Sequence, residues 1–136
     1  MIINEEIKLF PQEVPSFTKK IIKKLKINGI KEKVLFDIKL ALNEALINAI
    51  KHGNKSDKKK SVFLKITRQK DKLEICIEDQ GKGFDYQNLQ LPTDENNLTK
   101  QSGRGVFLIK NFMDELVFFN QGCKLKMVKH LNREGR

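Results

Sequence analysis

Cysteine, tryptophan and proline are scarce in this chain, which has two Cys, no Trp, three Pro and one Tyr in 136 residues. Cys76 and Cys123 have no metal-site spacing, and two thiols make no disulfide framework, so the composition suits a reducing, cytoplasmic compartment. Long apolar runs are missing too. Nothing approaches the roughly 20 residues that span a bilayer, and Met1-Ile2-Ile3-Asn4-Glu5-Glu6 lacks the basic-then-apolar order of a secretory leader. The expectation is therefore no membrane association. No Gly-x4-Gly-Lys-[Ser/Thr] loop occurs anywhere, which excludes the ordinary P-loop route to a nucleotide.

What the chain has in excess is positive charge, with 27 Lys and Arg against 17 Asp and Glu, a net +10. Such a balance invites a nucleic-acid reading, because basic clusters neutralise phosphates. The lysines are dispersed, however, over Lys19, Lys20, Lys23, Lys24 and Lys26 on one helix and Lys55 and Lys58 to Lys60 in a loop. The nine Phe and single Tyr form no interleaved stacking pattern. A solvated surface is the simpler account, and no nucleic-acid partner is expected. With 39% hydrophobic and 32% charged residues, the composition is that of one globular domain over residues 1–136.

Periodicity gives the order of elements. Residues 2–9 read as a strand. Pro11 and Pro15 lead into a helix over about 15–27, with Phe17, Ile21, Ile22 and Leu25 at helical spacing, and Asn28-Gly29 ends it. A longer helix spans about 31–51, with Val34, Leu35, Ile38, Ala41, Leu42, Ala45, Leu46 and Ala49 as its buried stripe. His52-Gly53-Asn54 stops it, with Gly53 suited to a left-handed cap. Val62, Leu64 and Ile66 alternate in one strand, and Leu73, Ile75 and Ile77 in the next, joined by a turn at Gln69-Lys70-Asp71-Lys72. Residues 85–101 form a long polar loop, of the kind that is usually functional or disordered. A helix over about 105–113 and strands through 115–120 and 123–130 complete the chain. The order predicts an α/β (α+β) two-layer sandwich: a mixed, mostly antiparallel sheet with helices on one face.

Three segments carry candidate chemistry. In Asn43-Glu44-Ala45-Leu46-Ile47-Asn48-Ala49, Glu44 and Asn48 are one helical turn apart and share a face. An amide oxygen at Asn48 suits a hard cation such as Mg2+, which takes few protein ligands and keeps phosphate oxygens and waters. Glu44 is then placed to orient or deprotonate an attacking hydroxyl. His52 reads as a helix-end residue. Alone, the pair reads more readily as a solvated helix face. In Asp79-Gln80-Gly81-Lys82-Gly83, the two-residue period puts Asp79 on the core face of its strand, where a carboxylate needs a donor. An adenine amine is such a donor. Gly81 and Gly83 permit positive φ and close backbone approach to a flat ring, although a plain turn would use the same residues. Last, Ser102-Gly103-Arg104-Gly105-Val106 opens a helix, and a glycine-lined N-terminus offers free N–H groups to phosphate. Ser102 is the candidate cap. Arg104 has two uses open to it, charge toward a γ-phosphate or simple solvation. In this order the three describe a site for Mg-ATP.

These segments resemble the signature boxes of the GHKL (Bergerat-fold) ATPases, and more closely those of the small anti-sigma-factor serine kinases of bacterial partner-switching systems. The resemblance spans roughly residues 2–131. Residues 43–53 resemble the N box, which implies Glu44 as base and Asn48 as Mg2+ ligand. Residues 79–83 resemble the G1 box, which implies Asp79 as the adenine anchor with Gly81 and Gly83 beside it. Residues 102–109 resemble the G2 box, which implies a phosphate cradle at Ser102, Gly103, Arg104, Gly105 and Val106, with 85–101 as ATP lid. Phe112-Met113-Asp114-Glu115-Leu116 is typical of the serine-kinase branch. One position departs: many relatives have Gly-Thr in the last hairpin, and this chain has Gly122-Cys123.

The resemblance implies ATP and Mg2+ as cofactors and a Ser/Thr-protein kinase acting on an anti-sigma-factor antagonist of the STAS type. It also implies a sigma factor as a second partner and a homodimer as the assembly. The competing expectation is a nucleotide-gated protein-binding regulator with little catalysis, in which ATP orders the lid and sets partner affinity.

Overall fold

The computed structural model describes residues 2–57, 59–81, 109–119 and 124–131. After strand β1 (Ile2–Ile7) comes a 3-10 turn at Pro11–Glu13, and then helix α1 (Val14–Ile27), entered with a proline in its first turn. That position costs a proline nothing, since its missing N–H would have had no helical partner. The buried face of α1 is Val14, Thr18, Ile21 and Leu25, one step round from the expected stripe; Phe17 and Ile22 flank it, partly buried. Asn28-Gly29 ends the helix as expected, with Gly29 at φ 84, a left-handed conformation that glycine adopts without steric cost.

Helix α2 (Glu32–Asn48) buries Val34, Leu35, Ile38, Ala41, Leu42, Ala45 and Leu46, the predicted stripe. Its end differs from expectation. The chain does not stop at a left-handed Gly53; it widens into a π-helical turn, Ala49–Gly53, closed by a hydrogen bond of 2.8 Å from the Asn54 N–H to the Ala49 carbonyl. Gly53 does not have positive φ. The left-handed residues are Lys55 (φ 51) and Ser56 (φ 59), just beyond it.

Strands β2 (Val62–Gln69), β3 (Lys72–Glu78), β4 (Glu115–Phe119) and β5 (Lys124–His130) join β1 in a five-stranded sheet of order β1-β2-β3-β5-β4. Every pairing among the described strands is antiparallel. Register follows the apolar alternation, because a one-residue slip would turn each apolar side chain to the opposite face. Ile66, Ile75, Met127 and Leu116 align across four strands, and Leu64, Ile77, Leu125 and Phe118 form the next row. These rows and the stripes of α1 and α2 make one core cluster, so the helices cover one face of the sheet. On the opposite face Phe63, Val117 and Phe119 are exposed.

Among the described residues one charged side chain is buried. Lys129 of β5 is 1% exposed, and its Nζ donates to Asp37 Oδ2 of α2 at 2.8 Å and to the Phe112 carbonyl at 2.5 Å. Phe112 closes the helical turn at 109–112, the described part of the helix expected over 105–113. No helix among the described residues is long and apolar enough to cross a membrane.

Candidate functional site

Asp79 follows directly on β3, in line with Leu73, Ile75 and Ile77, and is half-buried at the sheet's end. The end of the α2 extension lies against it. A Cβ on Gly53 would stand 2.8 Å from Asp79 Oδ1 and closer still to its Cγ and Oδ2, and a Cβ on Gly81 would collide with the Gly53 carbonyl. Both positions need glycine for close approach. Gly81, like Gly53, does not have positive φ. The conformational reason expected for Gly81 is thus replaced by a packing one, backbone on backbone.

The carboxylate is held in place from its own turn. The Gly81 N–H donates to Asp79 Oδ1 at 2.8 Å. No other protein donor to this carboxylate is seen among the described residues. Burial pushes the Asp79 carboxyl above the usual carboxylate range, and Glu78 adds to the effect; the Gly81 N–H and the charge of Lys60 work against it. A carboxylate kept part-dry at a strand end suits a neutral donor such as an amine on a flat ring, since desolvation strengthens such a bond.

The turn is also fixed from the side. Asn54 and Ser61 are buried, at 2% and 3% exposure. The Gln80 N–H donates to Asn54 Oδ1 at 2.7 Å, Asn54 Nδ2 donates to the Ser61 carbonyl at 2.9 Å, and the Ser61 N–H donates to Gln80 Oε1 at 2.6 Å. Ser61 Oγ donates to Glu6 Oε2 of β1 at 2.7 Å. Sequence reasoning missed Gly53 as a packing residue and gave Asn54 only a part in the helix stop. Only partners far along the chain separate Asn54 from an ordinary surface turn residue, so no local signal could have found it.

Glu44 and Asn48 stand on α2, both half-buried, with Asn48 the last helical residue before the π-helical turn. The chain therefore runs from Glu44 through Asn48 to Gly53 and into contact with Asp79. His52 is exposed in the π-helical turn, as a helix-end residue would be. Gly83, the 85–101 loop, Ser102, Gly103, Arg104, Gly105, Val106 and Cys123 lie outside the described residues. A cleft lined by Ile7, Phe10, Ile50, Asn54, Lys60 and Val62 shares Asn54 and Lys60 with the turn but contains none of the predicted site residues.

Among the described residues no three His, Cys, Asp or Glu side chains gather to hold a metal ion by themselves. Asn48, half-buried on α2, offers one amide oxygen of the kind that Mg2+ takes beside phosphate oxygens and waters. The part-buried Asp79, with one oxygen engaged by its own backbone, fits the base of an adenine nucleotide.

The sequence also matches known proteins. Residues 11–129 match the histidine kinase-like ATPase domain. The chain is similar to the serine-protein kinase RsbW of Bacillus licheniformis, 33% identical over 124 residues that make up 82% of this chain and 78% of that protein. It is similar to RsbW of Bacillus subtilis (strain 168), 32% identical over 105 residues, covering 72% of this chain and 66% of the relative. RsbW of Staphylococcus aureus (strain MSSA476) is 32% identical over 106 residues, 72% of this chain and 67% of its own. The chain belongs to the histidine kinase-like ATPase family, among relatives that are serine-protein kinases.

Proposed function

We propose that this chain is an ATP-dependent serine/threonine-protein kinase of a partner-switching system, cytoplasmic, whose acceptor hydroxyl lies on a STAS-type anti-sigma-factor antagonist. One observation carries the reading: the helix bearing Glu44 and Asn48 runs on through a π-helical turn to a glycine packed directly on the half-buried carboxylate of Asp79. A base-recognising carboxylate and a metal-and-base pair are thereby held by one rigid junction. The names of the relatives support the reaction type.

ATP with Mg2+ supplies the γ-phosphoryl group and neutralises its developing charge. Asp79 Oδ2 accepts from the adenine amine, while the Gly81 N–H fixes the carboxylate's rotamer. Asn48 gives its amide oxygen to the cation. Glu44 takes the proton of the Ser or Thr hydroxyl as that oxygen bonds to the γ-phosphorus and the bond to the β–γ bridging oxygen breaks. Gly81 and Gly83 line the base, and Ser102, Gly103, Arg104, Gly105 and Val106 take the phosphates under a lid at 85–101. Holding a sigma factor and pairing with a second copy of the chain belong to the same reading, as does a single domain over 1–136.

The test is incubation with γ-labelled ATP, Mg2+ and a STAS-domain antagonist. Label should appear on a Ser or Thr of the antagonist, and Glu44→Ala should abolish it with ATP still bound. Antagonist binding that depends on nucleotide without any label would instead make the protein a nucleotide-gated regulator.

A further inference from the structure

Asn54 has a job that the chemistry above leaves unassigned. A buried amide is costly unless both its ends are bonded, and here both are: Oδ1 accepts from the Gln80 N–H and Nδ2 donates to the Ser61 carbonyl. An ionised carboxylate has no donor and a methyl group has neither donor nor acceptor, so neither Asp nor Ala replaces it. Gln80 answers with its own side chain, Oε1 accepting from the Ser61 N–H, and the three residues close a ring. Gln80 itself is exposed. Its N–H would be satisfied by water if the turn merely reversed the chain. The ring instead fixes the residue between Asp79 and Gly81, whose N–H holds Asp79 Oδ1.

We infer that Asn54 is a positioning residue that sets the preference for adenine over guanine nucleotides, by holding the Asp79-Gln80-Gly81 turn where its carboxylate meets the base. The inference rests on the ATP reading above. Adenine offers an amine where guanine offers a carbonyl oxygen, so a rigidly placed carboxylate attracts one and repels the other. A carboxylate free to shift loses that contrast. Sites built to bond a particular donor discriminate strongly, and small displacements cost large factors.

The experiment measures Kd for Mg-ATP and Mg-GTP in wild type, Asn54→Ala and Gln80→Ala, well below each protein's Tm. Asn54→Ala should lower the ATP-over-GTP ratio by about tenfold or more, chiefly through weaker ATP binding, and Gln80→Ala should move it the same way by less. The ratio of ATP affinities with and without Mg2+ should stay as in wild type, because the cation's ligand is elsewhere. An ATP-over-GTP ratio unchanged in both variants, with only Tm lowered, would reduce Asn54 to a structural residue and overturn the inference. Should Asn54→Ala fail to fold, Gln80→Ala decides alone, since its side chain is exposed. Wild type that binds no ATP would overturn the parent reading and this inference together.

Discussion

Asp79 is pulled in two directions by its burial. A carboxyl whose folded pKa lies above its unfolded value binds its proton more tightly when folded. Its stabilising contribution is present at pH below the unfolded pKa and is lost as pH rises through the folded pKa. At neutral pH the ligand-free protein thus carries a stability cost at Asp79, which an adenine amine would offset. Asp79→Asn should therefore leave the ligand-free Tm at neutral pH equal to or above that of wild type, because an amide oxygen still accepts from the Gly81 N–H. The same change should remove ATP's stabilising effect. Thermal melts with and without ATP check both halves, and a ligand-free variant that melts several degrees lower would contradict the account. ATP binding by wild type should also fade on acidification at a pH above that of ordinary aspartates, as Asp79 takes up its proton.

At the scale of elements, the junction between α2 and the β3 turn decides the site. An α-helix turns about 100° per residue, so the wide turn at Ala49–Gly53 changes which backbone faces Asp79. Widened turns of this kind are frequent at functional sites. Gly53→Ala should push the carboxylate aside and weaken ATP binding by about tenfold or more, read by titration; wild-type affinity in that variant would show that the contact is dispensable. Lys129 is the second junction, joining β5 to α2 through Asp37 and to the 109–112 turn through the Phe112 carbonyl. Asp37→Ala leaves the buried Lys129 ammonium without its counter-charge and should cost about 3–5 kcal/mol in urea unfolding. A loss below about 1 kcal/mol would mean that the pair behaves as a surface one. The stripe of α2 and the alternation in β2 and β3 were legible because each is a local pattern repeated many times. The placement of Glu44 and Asn48 on one helix and of Asp79 at a strand end was legible through spacing. The π-helical turn, the reasons for Gly53 and Gly81, the Asn54 ring and the Lys129 pair were not, because each depends on a partner distant in sequence. Lys129 in particular looks like one more lysine in a chain that has many.

For the whole molecule, one helical layer on one antiparallel sheet places the two elements of the proposed site at the same end. The α2 extension and the end of β3 meet there, as Asn54 and Gln80 bond and Gly53 packs on Gly81. The net charge of +10 favours attraction of an anionic nucleotide and is screened by salt, whereas in the proposed reading the Asp79 carboxylate supplies selectivity. The central claim is that this end is a Mg-ATP site built from Asn48 and Asp79. Calorimetric titration of wild type, Asn48→Ala and Asp79→Ala with ATP, in the presence and absence of Mg2+, tests it most directly. The account predicts tight binding by wild type that needs Mg2+, loss of the Mg2+ dependence in Asn48→Ala, and loss of binding in Asp79→Ala. Binding by Asp79→Ala as tight as that of wild type would contradict it.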